Sequence, residues 1–424
     1  MNRVLVSGAS IAGPAVAYWL HRHGFEVTVV EKADTIRGGG YPIDIRGTAI
    51  EVVRRMGLLP RLREAHISTR RLTFLNPDGS LITAIKPDAV IRGAEGHDLE
   101  IPRGDLTEIL YGAVRDDVEF LFGDSIDTLD DQPDRVDVTF RSGVRRTFDL
   151  VIGADGLHSY TRGLVFGPEE QYHRYLGHCF AGFTMPNDLG LSHEGVTWCE
   201  PGRGAALYAV RDGDRVHGFL TFDRAQAPYD AFRDPAAQRD LVASVFEGDG
   251  WEIPRMVAVM RAADDLFFDV VSQIRLPRWS SGRVALVGDA AYAPSFLTGQ
   301  GTSLGLAGAY MLAQALAGAT DHEKAFAAYE RDTRPFVELN QSLAGEGGSV
   351  LFPPTAEALA ARNVMLRDLT SMPAEAARPE HSALVLPDQP VPHADGRFGE
   401  FRRRTGWATR HTDDIPHGGH QRPE

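Results

Sequence analysis

Cysteine is almost missing from this chain. Cys179 and Cys199 are the two among 424 residues, which excludes a disulfide scaffold and a cysteine-rich metal site. Positive charge is also in short supply: 44 Lys and Arg stand against 58 Asp and Glu, a net charge of −14. A general nucleic-acid binder needs a concentrated basic face, so none is expected, and anionic ligands must be held by local devices. Uninterrupted apolar runs of membrane length are lacking too. The interval between Asp289 and Asp321 carries no charge and is long enough to span a bilayer. Ser295, Thr298, Gln300, Thr302, Ser303 and several glycines interrupt it, so it reads as a loop and helix buried against a ligand. Residues 1–20 carry one charge before an apolar stretch, much as a secretory signal does. Gly-Ser punctuation and the strand-like continuation FEVTVVE argue against that reading, and a soluble cytoplasmic protein with no membrane partner is expected. No internal repeat or metal-ligand spacing is found.

Glycine, by contrast, is abundant: 44 residues, about a tenth of the chain against a usual ~7%. The opening reads strand (RVLVS), tight turn (GASIAG), helix (PAVAYWLHRHG) and strand (FEVTVVE, closing on Glu31). Parallel strands joined this way need helices over the sheet, so the class is α/β. Residues 72–85 predict two strands around an Asn-Pro-Asp-Gly turn, and a helix is expected from Gly104 to Arg115. The run LVIGADG predicts a strand buried on both faces. From about 170 to 275 alternating strands predominate, with one helix near 236–247, which predicts an antiparallel sheet inserted into the first domain. RVALVGD at 283–289 returns to the parallel sheet. Helices are expected up to Gly345 and over 355–369; the tail from Met372 is either disordered or wrapped on the body.

Three glycine-bearing elements carry chemistry. Gly8-Ala9-Ser10-Ile11-Ala12-Gly13 follows a strand and opens a helix, as a dinucleotide fingerprint does. It needs a tight turn at Gly8, close backbone approach at position 10 and helix-strand contact at Gly13, so that helix N–H groups face phosphates. Ser10 replaces the middle glycine and brings a hydroxyl. Glu31, followed by Lys32, ends the second strand, where a carboxylate accepts from ribose hydroxyls and repels a 2′-phosphate. The second element, Gly153-Ala154-Asp155-Gly156, is either a plain strand-end turn or part of the same site. The third is Gly288-Asp289-Ala290-Ala291 with Gly299-Gln300-Gly301-Thr302. Here a carboxylate at a strand end can hold polyol hydroxyls, and helix-start N–H groups can stabilise negative charge on a reduced isoalloxazine.

These elements in this order, with Arg103 in PRGDL, resemble the single-component FAD-dependent aromatic hydroxylases of the p-hydroxybenzoate hydroxylase type over residues 1–345. With Gly38-Gly-Gly-Tyr-Pro-Ile-Asp44-Ile-Arg46-Gly47 the chain is most like the tetracycline-inactivating flavin monooxygenases and related polyketide hydroxylases. The resemblance implies a Rossmann-like FAD-binding domain (1–71, 98–169, 276–345), a mainly antiparallel substrate domain (72–97, 170–275) and a C-terminal helix and tail (346–424). It implies that Asp289 binds the ribityl chain, Arg103 the phosphate region, Asp44 the flavin side and Glu31 the adenosine ribose, with Arg37 meeting NADPH. The implied activity uses NADPH or NADH and O₂ to hydroxylate an aromatic or polycyclic small molecule through a flavin C4a-hydroperoxide.

Two positions depart from the family pattern. Tyr292 stands where His often follows Gly-Asp-Ala-Ala, and Phe296 where proline usually precedes Gly-Gln-Gly by three residues, with Pro294 displaced by two. No Trp-x-Trp-x-Ile-Pro run points to a halogenase. Arg46 either reaches into the site or forms a surface ion pair, and His217 and His178 fall in the predicted substrate sheet as site or ordinary sheet residues. Tyr208, Phe219, Phe222 and Trp198 are core or substrate wall. A flavin oxidoreductase without oxygen insertion and a ligand-sequestering flavoprotein remain the alternatives.

Overall fold

The computed structural model describes residues 3–36, 38, 40–86, 98–228, 231, 234–345, 353–369 and 378–388. Arg37 lies outside these residues, as do 346–352, 370–377 and 389–424 of the predicted C-terminal region.

Strand β1 (Arg3–Ser7) buries Val4 to Ser7 in succession, the mark of a strand covered on both faces. It lies inside a six-stranded sheet in the order β17 (Ser280–Ser281), β18 (Val284–Leu286), β11 (Leu150–Gly153), β1, β2 (Glu26–Glu31), β7 (Glu119–Phe122). All neighbours run parallel except β17 with β18. Alternation decides what each face meets. Val4 and Val6 pack on helices, including Ala12–Arg22 and Gly301–Gly318. Leu5 packs on a three-stranded sheet, β8 (Ile126–Asp131), β9 (Val136–Phe140) and β10 (Arg145–Phe148).

The uncharged interval becomes the helix Gly301–Gly318, buried along most of its length. Its small residues let other groups come close: a Cβ on Gly308 would lie 1.8 Å from the Tyr292 hydroxyl. No helix among the described residues is long and apolar enough to cross a membrane.

A seven-stranded sheet follows the order β16 (Phe267–Ile274), β12 (His173–Pro186), β15 (Arg215–Asp223), β14 (Arg203–Ala209), β13 (Glu194–Glu200), β4 (Arg71–Leu75), β5 (Leu81–Ile85). Only β13 with β4 is parallel among its pairs. One face is covered by Pro235–Val245 and Ile253–Ala262. The second of these helices was not expected: Met256 to Met260 is a continuous apolar run, and periodicity alone cannot tell such a run from a strand. A two-stranded ribbon, β3 (Pro42–Ile45) with β6 (Leu99–Pro102), sets Asp44 directly opposite Glu100.

The helix expected from Gly104 begins at Arg103 and stops at Gly112. Of the two readings of the tail, wrapping holds for its described part. The Leu384 carbonyl accepts from Thr48 Oγ1 at 3.0 Å, and the Pro387 carbonyl from Arg55 Nη1 at 2.6 Å and Tyr310 at 2.7 Å.

Gly308→Ala is expected to lower stability by about 1–3 kcal/mol through overpacking. Adding Tyr292→Phe, which removes the clashing oxygen, recovers part of the loss in thermal unfolding. A second expectation concerns His158, which bridges Glu169 (2.7 Å) and Asp269 of β16 (3.2 Å). Those hydrogen bonds, Asp269 first, raise its pKa from 6.5 to about 10. The folded value is the higher one, so the stabilisation is complete below pH 6.5 and lost as pH rises to about 10. His158→Gln should flatten that part of the stability-pH curve; an unchanged slope would remove the bridge from the account.

Candidate functional site

The GASIAG turn is forced by contact. Gly8 has φ +104°, and a Cβ there would lie 2.6 Å from the Ala154 carbonyl oxygen. On Gly13 a Cβ would sit 1.8 Å from the Gly8 carbonyl oxygen, so both positions require glycine. No side chain caps the helix that starts at Ala12. Ser10, Ile11 and Ala12 stay partly open at its mouth, which leaves first-turn N–H groups and the positive end of the helix dipole for an anion. Glu31 braces the turn: its carboxylate accepts from Ala9 N at 2.9 Å and Ala33 N at 3.0 Å.

Asp289 begins a short turn of helix just after β18, behind Gly288 (φ +66°). Its side chain is open to solvent yet ringed by protein, at the floor of a cleft. Desolvation raises its carboxyl above the ordinary range, against the opposing pull of Arg103. A Cβ on Gly301 would lie 3.7 Å from Asp289 Oδ1, so the start of the second long helix meets the carboxylate. That helix also has no side-chain cap. Thr302 beside Gly301 is buried. Gln300 is fully buried with neither amide atom partnered among the described residues.

Arg103 donates from Nη2 to Ser10 Oγ at 3.0 Å, tying the PRGDL helix to the first turn. Its Cβ lies 3.5 Å from where a Cβ on Gly40 would sit. Asp44 and Arg46 form an ion pair at 2.8 Å in which Arg46 is buried and Asp44 half-buried, so the pair that Arg46 makes with Asp44 is not a fully exposed one. A Cβ on Gly299 would lie 3.2 Å from Asp44 Oδ2, and Arg46 N donates to Ser303 Oγ at 3.0 Å. The structure thus gathers Gly8, Ser10, Ile11, Ala12, Gly13, Arg103, Asp289 and Gly301 at one cleft, with Asp44, Arg46 and Gly299 adjoining.

Over the cleft stands the free face of the seven-stranded sheet. Tyr41 lies 6.0 Å from Phe180, 6.4 Å from Phe219 and 6.2 Å from Phe267, ring centre to ring centre. Phe180 lies 5.1 Å from Phe296, which belongs to the loop between Asp289 and Gly299. His217 continues this face beside Phe219 at 6.5 Å, and burial lowers its pKa. Phe222 and Trp198 point the other way, into the core beneath the helices.

The remaining candidate side chains lie or bond elsewhere. The Asp155 carboxylate is spent on its own loop, accepting from Thr161 N and Oγ1 at 2.9 Å each and from Ser159 at 2.5 Å, so what it brings to Gly8 is backbone. His178 is taken by Asp223 at 2.6 Å. Lys32 is exposed at the surface. Tyr292 is buried away from the cleft, its hydroxyl 3.0 Å from Tyr329 and its ring 4.5 Å from Trp279. The Pro294 carbonyl accepts from Gln273 Nε2 at 3.0 Å. The next residue, Ser295, holds φ +79°, a strained value for a residue with a side chain. Behind the cleft, buried Arg162 donates to the Ala290 carbonyl at 3.0 Å, and Gln341 to Tyr292 and Ala293. Neither follows a motif, and only the fold reveals them.

A dinucleotide suits this cleft on the structure's own terms. Two uncapped helix starts meet there, no side chain projects from Gly8, Gly13, Gly299 or Gly301, and one carboxylate lies solvent-open at the floor.

The comparisons agree with that geometry. Residues 1–343 match the FAD binding domain family. A Mycobacterium tuberculosis protein, itself uncharacterized, is 45% identical over 348 residues, 82% of this chain and 93% of its own length. A flavin-dependent monooxygenase from an unknown prokaryotic organism is 39% identical over 343 residues, 80% of this chain and 88% of its own. The crystal structure of tetracycline destructase Tet(55), 35% identical, superposes with a TM-score of 0.79 over 92% of this chain and 99% of that one. The α/β class, the FAD cofactor and the p-hydroxybenzoate hydroxylase-type fold expected from the motifs hold. With a family match over most of its length, the chain belongs to the FAD binding domain family and is an FAD-dependent monooxygenase.

Proposed function

We propose that this monooxygenase inserts one atom of O₂ into an electron-rich carbon of a phenolic or enolic polycyclic molecule of the tetracycline type, with NADPH or NADH as reductant. The observation that carries this reading is the aromatic face of Tyr41, Phe180, Phe219, Phe267 and Phe296 over the glycine-lined cleft. A planar apolar ligand fits such a wall, where sparse polar groups set its orientation. The likeness to tetracycline destructase Tet(55) supports the substrate class.

FAD, when bound, supplies the redox and oxygen-activating chemistry. In this reading the chain's residues bind and orient. The N–H groups at Ser10 to Gly13 and the Arg103 guanidinium take the diphosphate, Glu31 the adenosine ribose and Asp289 the ribityl hydroxyls. The helix start at Gly301 and Thr302, with Asp44 beside it, faces the ring system. The aromatic wall keeps water from the reacting edge. Arg37 is proposed to meet the nicotinamide dinucleotide's phosphates. The assignment of 1–71, 98–169 and 276–345 to FAD and of 72–97 and 170–275 to substrate belongs to the same reading, as does a cytoplasmic location.

Asp289→Ala removes acceptors for ribityl hydroxyls, and an unpaired polar group costs about 1–3 kcal/mol, so FAD should bind about five- to 150-fold more weakly with the fold intact. Titration of the apoprotein with FAD measures this; unchanged affinity would overturn the role. For the reaction, NAD(P)H consumption is followed with and without tetracycline, and products are weighed by mass spectrometry. One added oxygen per molecule is expected, with reduction at least about tenfold faster when ligand is present, a barrier change of about 1.4 kcal/mol. Flavin reduction without an oxygenated product would indicate a plain oxidoreductase; tight binding without turnover would indicate a sequestering protein.

A further inference from the structure

The free face of the seven-stranded sheet changes character from strand to strand. Register sets two transverse rows on it. One runs Phe180, Thr221, Gly204, Cys199 over β12, β15, β14 and β13; the other runs Phe219, Ala206, Thr197, Phe74 over β15, β14, β13 and β4. The large rings stop at Phe180 and Phe219. Beyond them Thr221, Ala206 and Thr197 are small and partly open, and from β15 to β13 this floor covers two strand spacings, roughly 10 Å. The helix Ala356–Asp368 closes the far side, with Leu366 packed on Phe74, Ile82 and Ile85. A trough floored by small side chains therefore leads from the aromatic wall to this helix.

Arg362 stands at the end of the trough. It is 4% exposed, and its guanidinium meets neutral groups. Asn363 Oδ1 accepts from Nε at 3.1 Å and from Nη2 at 2.8 Å, Cys199 Sγ lies 3.1 Å from Nη1, and the Phe74 ring centre is 5.7 Å away. Three arginines are buried among the described residues. Arg46 has Asp44 and Arg162 has Glu169, whereas Arg362 has no carboxylate within ion-pair distance among those residues. Glu200, the next acid along β13, belongs to the opposite face by alternation and is held by Arg203 at 3.1 Å. Cys199 supplies no countercharge either, because burial raises its thiol pKa even against the pull of Arg362. A guanidinium does not lose its proton in proteins, and an ion buried without a counterion is costly.

We propose that Arg362 is a specificity-determining residue that pairs with an anionic group, a carboxylate or an acidic enol, on the substrate ring farthest from the flavin. The inference rests on the substrate class proposed above and narrows it to acids. Flat rings that lie against Phe180 and Phe219 and continue over Thr221, Ala206 and Thr197 bring such a group to the guanidinium. Three of its five N–H groups are used on Asn363 and Cys199, and the others suit the two oxygens of a carboxylate. An uncharged analogue would leave the buried cation without its counterion, so the pairing discriminates between ligands of the same shape. Arg362 lies beyond residue 343, where the family match ends. This selectivity is thus carried by a helix outside the matched domain.

The test compares one ring system with and without the charge. FAD-loaded wild type, Arg362→Met and Arg362→Lys are titrated near neutral pH with anthraquinone-2-carboxylate and with its uncharged carboxamide, and affinities are measured by calorimetry. The wild type should bind the acid at least about tenfold more tightly than the amide. Arg362→Met should lose that margin by weakening the acid alone, and Arg362→Lys should keep part of it. Without ligand, Arg362→Met should unfold at the same temperature as the wild type or higher, since a buried charge lacking a partner has been replaced by an apolar chain. Equal affinities for acid and amide in the wild type overturn the inference. So does a variant that weakens both ligands alike and unfolds at a lower temperature, the behaviour of a purely structural clamp. Selective binding of the acid through Arg362, with no oxygenated product from acidic polycycles when NAD(P)H and air are supplied, overturns the reading of function and leaves this one standing. Failure of the wild type to bind either ligand overturns both.

Discussion

Two helix starts can open onto one cleft only where nothing projects between them. The helices Ala12–Arg22 and Gly301–Gly318 come together beside Gly288, where a Cβ would lie 2.9 Å from the Ala12 methyl, and Gly305 approaches the same methyl. A larger side chain at any of these positions would push the helix starts apart, and the Asp289 carboxylate would no longer meet the turn at Gly301. The position of the aromatic face depends on this contact, because Phe296 is carried on the loop that joins Asp289 to Gly299. An absence of side-chain atoms thus sets the geometry of the cleft and the place of Phe296 against Phe180.

The same contact explains how a chain of net charge −14 can receive an anionic dinucleotide. Bulk charge works against it, and the positive potential comes from backbone dipoles aligned at two helix ends, with Arg103 held to Ser10 at the edge. Such a field is short-ranged and directional. It favours a phosphate in one place without turning the surface into a general anion binder.

The parts of the fold legible in the sequence were those fixed by local rules. The βαβ opening follows from burial on both faces and from glycines that steric contact leaves no choice about. The Asp289 and Gly301 elements were readable for the same reason. The helix Ile253–Ala262 was not, since an apolar run carries no phase. Tyr41 and Glu100 escaped notice for a different reason: what they meet comes from segments far apart in the chain that the fold brings together. Arg46 was ambiguous until its partner and its burial were known. Tyr292 and Phe296 looked like flaws in a motif, yet one is a core residue turned away from the cleft and the other is part of the wall.

The segment around residues 378–387 is fastened through its backbone as well as its side chains. Leu384 and Pro387 offer carbonyl oxygens to Thr48, Arg55 and Tyr310, and the His381 carbonyl leaves no space for a side chain on Gly47. Side chains join these main-chain bonds: His381 is buried and Leu384 belongs to the core that packs on the parallel sheet. The family match ends at residue 343, but the segment lies beyond it and closes on the helix that follows Arg46. The compact body of this chain therefore extends past the stretch that the family match covers, and a chain cut at residue 343 would lose a seam that its first helices use.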